Sequence, residues 1–145
     1  MKRLIALLLV TASANALAVG FQVDAAGGYW LTGTPQFQLR LGVHQQIARL
    51  GERSSLVGAL RSGVFLNTAG ARLGIPVDLA LELHFHPVSF GLVGGPWFHF
   101  NDAELVRAHL GGEFAVRLSK VVRLSFEVGW LQPSPLLLAR IGFVF

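Results

Sequence analysis

The chain has 145 residues, of which 52% are hydrophobic and 14% are charged, and its formal net charge is +4. A soluble domain of this size could not cover its surface with so few charged groups, so the composition favours a membrane-embedded or strongly associating protein. The positive charges form no basic run, which argues against nucleic acid as a partner, and the absence of cysteine excludes disulfides and thiolate zinc sites.

The N-terminus has the three parts of a secretory signal peptide. Lys2 and Arg3 supply the positive start, Leu4–Val10 the apolar run, and the small residues around Ala16 the cleavage site. The apolar run is too short to span a bilayer as a helix, although an N-terminal membrane anchor is the alternative. We therefore predict a cleaved signal peptide over residues 1–18.

After residue 18 the dominant pattern is period-two alternation of apolar and polar residues. From Val77 to His86 every odd position is apolar, while the even positions are Asp, Ala, Glu, His and His. A strand would place each set on its own face, whereas a helix would mix them. The alternating stretches are Phe21–Ala25, Phe37–His44, Leu56–Leu66, Val77–His86, Ser89–Leu92, Arg107–Leu118, Val122–Val128 and Ala139–Phe145. We predict a strand at each of these eight stretches, near the length that crosses a membrane when tilted.

The connections between these strands are predicted to alternate in length. The first, third, fifth and seventh are expected to be mostly longer and to cover residues 28–35, 67–76, 95–104 and 131–135. The second, fourth and sixth centre on residues 48–55, 86–89 and 119–120, of which the first is longer than the scheme expects. Short turns face the periplasm and longer loops face outward in outer-membrane barrels. The odd-numbered strands are therefore expected to run outward.

This topology places aromatic residues near both rims of the predicted barrel. The outer rim is expected to carry an aromatic belt of Tyr29, Trp30, Trp97, Phe98 and Trp130. The opposite rim is expected to carry Phe21, Phe85, Phe90, Phe143 and Phe145. Amphipathic rings prefer membrane interfaces, so two belts indicate a membrane-spanning band between them.

The closing segment Ala139–Phe145 alternates apolar positions and ends in Phe. With the preceding strands, it makes residues 19–145 resemble the small outer-membrane barrels of the OmpA transmembrane-domain and OmpX type. The resemblance implies an all-β domain, an eight-stranded antiparallel up-and-down transmembrane β-barrel in contact with outer-membrane lipid. It also implies that Ile141, Phe143 and Phe145 form a C-terminal signal for the outer-membrane assembly machinery.

The polar face of the predicted strands is expected to line the lumen. The apolar face is nearly free of charge, as a lipid-facing band requires, because a charge at the midplane costs about 2–4 kcal/mol. A soluble secreted lipocalin-like ligand-binding barrel, with the faces reversed, is the alternative fold. The predicted lumen charge network consists of Asp24, Arg40, Arg61, Asp78, Glu82, Arg107, Glu113, Arg117, Arg123, Glu127 and Arg140. In so narrow a lumen these charges should pair, and Asp24 with Arg140 is one expected pair.

The remaining candidates for chemistry are histidines and serines. His84 and His86 are expected on the lumen face, but no further metal ligand is evident beside them. Ser89 near His86 lacks the pattern of a lipid deacylase. A loop containing His99 and Asp102 is the best candidate surface for a partner. No catalytic residue, metal or cofactor is therefore predicted.

We expect an outer-membrane protein with a structural or interaction role and a charge-filled lumen that is not an open pore. A narrow pore and a lipid-modifying enzyme are the functional alternatives. The residues identify no particular ligand, protein partner or oligomeric state.

Overall fold

A computed structural model describes residues 19–31, 33–69, 71–100 and 102–145. The predicted signal peptide, residues 1–18, lies outside the described residues. The strands in chain order are β1 Val19–Trp30, β2 Thr34–Arg49, β3 Ser54–Asn67, β4 Arg72–Phe85, β5 Val88–His99, β6 Val106–Arg117, β7 Val122–Leu131 and β8 Ser134–Val144. Within the described ranges, no helix is long and apolar enough to cross a membrane.

Every strand pairs antiparallel with its neighbour in sequence, and β8 pairs with β1 to close the sheet into a barrel. Closure leaves no free strand edge, so backbone amides and carbonyls find partners within the sheet. The predicted eight-stranded antiparallel up-and-down barrel is therefore confirmed. We call the end with the β2–β3, β4–β5 and β6–β7 connections the turn end, and the opposite end the loop end.

The expectation of longer connections at the loop end was wrong. The β5–β6 connection, residues 100–105, is the longest, but residues 132–133 alone join β7 to β8, as residues 86–87 join β4 to β5. Strand pairing continues through segments expected to be loops, so that Trp30 still pairs with Thr34. Each residue added to a pair of strands forms backbone hydrogen bonds with the neighbouring strand, so the strands extend as far as the tight turns allow.

Side chains alternate between the two faces of the barrel wall along each strand. In the middle of β4, Leu79 and Leu81 point outward and are 67% and 49% exposed. Asp78 and Glu82 on the same strand point inward and are 0% and 2% exposed. The exterior is therefore a band of apolar side chains around a polar interior, the reverse of a soluble barrel.

The interior has two layers. At the loop end, six buried apolar side chains form a cluster that we call the plug: Trp30, Phe65, Trp97, Leu131, Leu136 and Leu138. Apart from Arg107 near the loop end, the buried charged side chains occupy the interior from the middle of the barrel towards the turn end. An eight-stranded barrel encloses only enough space for side chains to fill, so these two layers account for the lumen.

Candidate functional site

The charged residues expected in the lumen all occupy inward-facing strand positions. Ten of them are buried: Asp24, Arg40, Arg61, Asp78, Glu82, Arg107, Glu113, Arg123, Glu127 and Arg140. Arg117, at the end of β6, is half-buried and faces a cavity at the turn end. Because a buried charge without a partner is costly, the geometry of their pairing decides what this interior can do.

Glu113 is the centre of the network. Its carboxylate accepts hydrogen bonds from Arg61 Nη1 at 2.6 Å, Arg123 Nη2 at 2.6 Å and Arg140 Nη1 at 2.9 Å. Arg61 and Arg123 also contact the carboxylate of Glu82, the latter at 2.8 Å. A carboxylate offers about four acceptor positions, so several guanidiniums can share one without competition. These five side chains form one connected network that crosses the lumen.

A second group of charges surrounds His109, between the network and the plug. Asp78 accepts hydrogen bonds from Arg40 Nη1 at 2.6 Å and Trp97 Nε1 at 3.0 Å, and lies 2.8 Å from His109 Nδ1. The other ring nitrogen, His109 Nε2, lies 2.7 Å from Glu127 Oε1. Two acceptors facing one imidazole hold the ring in a fixed orientation. Trp97 belongs to the plug, so its hydrogen bond joins the two layers.

The expected pair between Asp24 and Arg140 was wrong. Arg140 contacts Glu113 and Glu127, while Asp24 accepts a hydrogen bond from Gln22 Nε2 at 2.5 Å. The β1–β8 register explains the difference, because Arg140 lies opposite Ala26 rather than Asp24. The Arg140 guanidinium instead meets carboxylates from β7 and β6, on the side of β8 away from β1.

The structure divides the five residues of the expected outer aromatic belt between the two faces of the wall. Tyr29, Phe98 and Trp130 point outward and are 56%, 39% and 50% exposed. Trp30 and Trp97 point inward and are 4% and 0% exposed, so their assignment to the belt was wrong. Alternation continues to the strand ends, which puts both rings on the lumen face. Each buried indole donates a hydrogen bond, which for Trp30 goes to the Leu131 carbonyl at 3.0 Å.

The C-terminal residues Ile141, Phe143 and Phe145 point outward and are exposed. Their alternation with inward-facing Arg140 and Gly142 continues the β8 pattern to the last residue. Recognition of this segment by the outer-membrane assembly machinery stays a prediction.

An ion cluster covers the plug at the loop end. Asp102 lies 2.9 Å from both Arg72 Nη1 and Arg107 Nη2, and the Arg107 guanidinium stacks over the Trp30 ring at 4.6 Å. Burial raises the pKa of Asp102, but the backbone amide of Ala103 and the two guanidiniums outweigh this effect and lower it below the ordinary value. Both arginines at this end therefore have a carboxylate partner.

The candidate loop residue His99 lies inside the barrel rather than on the surface. It is 2% exposed, its ring packs against Phe65 and Trp30, and its Nδ1 lies 3.9 Å from Asp102. Period-two alternation within β5 places it on the same face as Trp97. His99 thus supports the plug from beneath the loop instead of offering a surface contact.

The histidine pair expected on the lumen face is divided. His84 is half-buried and lies 2.9 Å from Glu82, whereas His86 lies in the β4–β5 turn and is exposed. Within the described ranges, no group of three His, Cys, Asp or Glu side chains is arranged to hold a metal ion. Both histidines belong to the lining of a cavity at the turn end.

The closed barrel is similar to solved structures of designed proteins. One, a de novo designed transmembrane β-barrel, aligns with a TM-score of 0.62 and 13% identity over 87% of this chain and 95% of the design. The designed barrel TMB2.3, solved by NMR in solution, aligns with a TM-score of 0.59 and 17% identity over 90% of this chain and 96% of the design. No protein-family model matches the sequence, and the search of curated proteins found no match.

At these identities the likeness shows the fold, an eight-stranded barrel similar to transmembrane barrel designs. It supports a small transmembrane-barrel type. The more specific resemblance to the OmpA and OmpX type stays a prediction.

Proposed function

We propose that this chain is an outer-membrane barrel with a structural or interaction role, exported by its signal peptide and closed to ion flow. The observation that carries this proposal is the filled interior beneath an apolar exterior. Trp97, Leu131 and Leu136 in the plug are each 0% exposed, and the ion network lies directly below them. A lumen filled in this way has no continuous aqueous path for ions.

The exterior supports a membrane location. Outward positions along all strands carry large apolar side chains, and many of them, such as Leu41, Leu92 and Val128, are about two-thirds exposed. So much exposed apolar surface would aggregate in water, whereas lipid accommodates it. The closed hydrogen-bonded sheet also meets the requirement that lipid-exposed backbone groups find partners within the protein. Lipid is thus the first partner of this barrel, and the assembly machinery would insert it.

Single-channel recording in planar bilayers tests the closed lumen. Purified protein reconstituted from detergent should produce no discrete conductance steps at moderate voltage. A matched variant, Trp97→Ala with Leu136→Ala, removes two fully buried plug side chains and should increase leakage or open events. Reproducible unitary openings of the unaltered protein would contradict the proposal and favour a narrow pore.

A lipid-modifying activity is the alternative from another functional class. Mass spectrometry of lipid A from cells with and without the expressed protein should show the same acyl pattern. A changed pattern would replace the structural role by an enzymatic one.

A further inference from the structure

The turn end of the barrel contains a cavity of about 360 Å³ between the β2–β3 and β4–β5 turns. β2 and β3 pair as far as Arg49 and Ser55, and β3 pairs with β4 as far as Ser54 and Phe85. The β2–β3 and β4–β5 turns therefore lie beside each other, and both contribute to the cavity lining. Arg117 and Ser89 lie on the side of the barrel wall.

Four guanidiniums line this cavity, those of Arg49, Arg53, Arg117 and Arg123. The Arg123 guanidinium forms ion pairs with Glu82 and Glu113 in the lumen network. Arg49 Nε donates to a backbone carbonyl at 3.3 Å. Within the part of the chain that the structure describes, the side chains of Arg53 and Arg117 have neither an ion pair nor a hydrogen bond. Three of the four cations thus face the cavity without a carboxylate partner.

At the opposite end of the barrel, in contrast, the arginines have carboxylate partners. There, Arg72 and Arg107 share Asp102, and Arg107 also lies 3.6 Å from Glu104, so two guanidiniums face two carboxylates. In the turn-end cavity, the one acidic lining residue is Glu52, which is exposed and makes no ion pair with the lining arginines among the described residues. The cavity therefore has an uncompensated positive charge, and it attracts an anion.

The lining also supplies neutral donors. The hydroxyl-bearing residues Ser54, Ser55 and Ser89 belong to it. Guanidiniums present planar pairs of N–H groups that match the oxygen spacing of phosphate, and hydroxyls complete such sites. At about 30 Å³ for each water molecule, the cavity has room for a phosphate group together with solvent.

We propose that this cavity binds a phosphate group through the guanidiniums of Arg49, Arg53 and Arg117. The group is either free phosphate or the headgroup of a phospholipid at the membrane surface, since both present the same oxygens. The proposal goes beyond the structural role and does not depend on whether the barrel conducts ions.

The test is a titration with inorganic phosphate. The protein is refolded in octyl glucoside, a detergent without phosphate, and backbone amide NMR signals are followed at constant ionic strength. Saturable shifts are expected at the β2–β3 and β4–β5 turns and at the end of β6. Arg117→Gln should weaken phosphate binding by about tenfold or more, because a charge-assisted contact to the anion is lost.

Two further variants separate the site from general charge and from misfolding. Lys120→Gln removes a positive charge at the same end of the barrel but outside the cavity lining, and should change the affinity by less than about twofold. Arg53 is exposed, so Arg53→Gln should preserve the fold and still weaken binding by several-fold. Heat-modified electrophoretic mobility checks folding of each variant.

Phosphatidylcholine nanodiscs distinguish the two sources of the phosphate group. If the turn-end signals still respond to added phosphate, free phosphate is the ligand. If they start at the saturated positions in nanodiscs and no longer respond, lipid headgroups occupy the site. Both results support the proposal. It is overturned if phosphate produces no saturable shifts in detergent, or if Lys120→Gln weakens binding as much as Arg117→Gln.

Discussion

Replacing Asp78 with Asn tests how strongly the buried charges of the lumen depend on one another. Asp78 is the partner of Arg40, whose side chain is fully buried and has no second carboxylate within ion-pair distance among the described residues. The substitution leaves that guanidinium unpaired and also removes the charge beside His109. Breaking a buried ion pair costs about 3–5 kcal/mol. We expect Asp78→Asn to lower the free energy of unfolding by about 5 kcal/mol, the upper end of this range.

Glu113→Gln should cost less, although Glu113 has more partners. Arg61 and Arg123 also contact Glu82, and Arg140 keeps a second carboxylate partner on β7. No guanidinium is therefore left without a counter-charge. We expect a loss of about 3 kcal/mol, at the lower limit for a buried pair.

The assay is urea unfolding of the protein in phosphatidylcholine vesicles, followed by tryptophan fluorescence. The control is Glu104→Gln, which removes an exposed carboxylate 3.6 Å from Arg107 and should cost less than about 1 kcal/mol. If Asp78→Asn is no more costly than this control, the ion network does not stabilise the barrel. A larger loss for Glu113→Gln than for Asp78→Asn would show that the remaining carboxylates do not compensate the three guanidiniums.

Three further predictions concern the exterior, the plug and the loop end. Leu79→Arg places a charge near the middle of the apolar band and should destabilise the barrel in vesicles by about 2–4 kcal/mol; an unchanged stability would indicate that this face meets water. Trp97→Phe removes the hydrogen bond to Asp78 and should cost about 1–3 kcal/mol in the same unfolding assay. The control, Trp130→Phe, alters an outward-facing ring and should cost less. Equal losses would contradict the inward placement of Trp97. The lowered pKa of Asp102 means that its ion cluster stabilises the folded state above the ordinary pKa of 3.8 and that this contribution is lost as the pH falls through the lowered value. The protection factors of the β5–β6 amides, which compare measured with intrinsic exchange at each pH, should fall over that acidic range in the natural protein but not in Asp102→Asn. An equal fall in both proteins would contradict this role of Asp102.

The sequence predicted the architecture because alternation follows directly from burying one face of each strand. Val77–His86 alone identifies the apolar exterior and the polar interior of β4, and the same period locates the other strands. The same rule, applied to the strand ends, also places Trp30 and Trp97 inside. Their height along the barrel alone predicts a place in the outer belt, whereas their odd or even position along the strand decides which face they occupy.

The pairing inside the lumen could not be predicted from strand order. Arg61 on β3 binds Glu113 on β6 across the barrel, and Arg40 on β2 reaches Asp78 on β4 past the strand between them. Long side chains choose partners by the shape of the enclosed space, which requires register and stagger. Asp24 and Arg140 lie on neighbouring strands and were therefore expected to pair, but in the observed register Arg140 is opposite Ala26 and Asp24 is opposite Gly142. The turn-end cavity depends equally on how the β2–β3 and β4–β5 turns lie beside each other, which strand order does not give.

The most direct test of the central claim is electrophoresis of outer-membrane fractions from cells that express the protein, with boiled and unboiled samples compared in detergent. An outer-membrane barrel closed by the interior described above should be found in this fraction and should shift in mobility on heating. Recovery in the soluble periplasmic fraction without a heat-dependent shift would contradict the claim and reverse the assignment of the barrel's two faces.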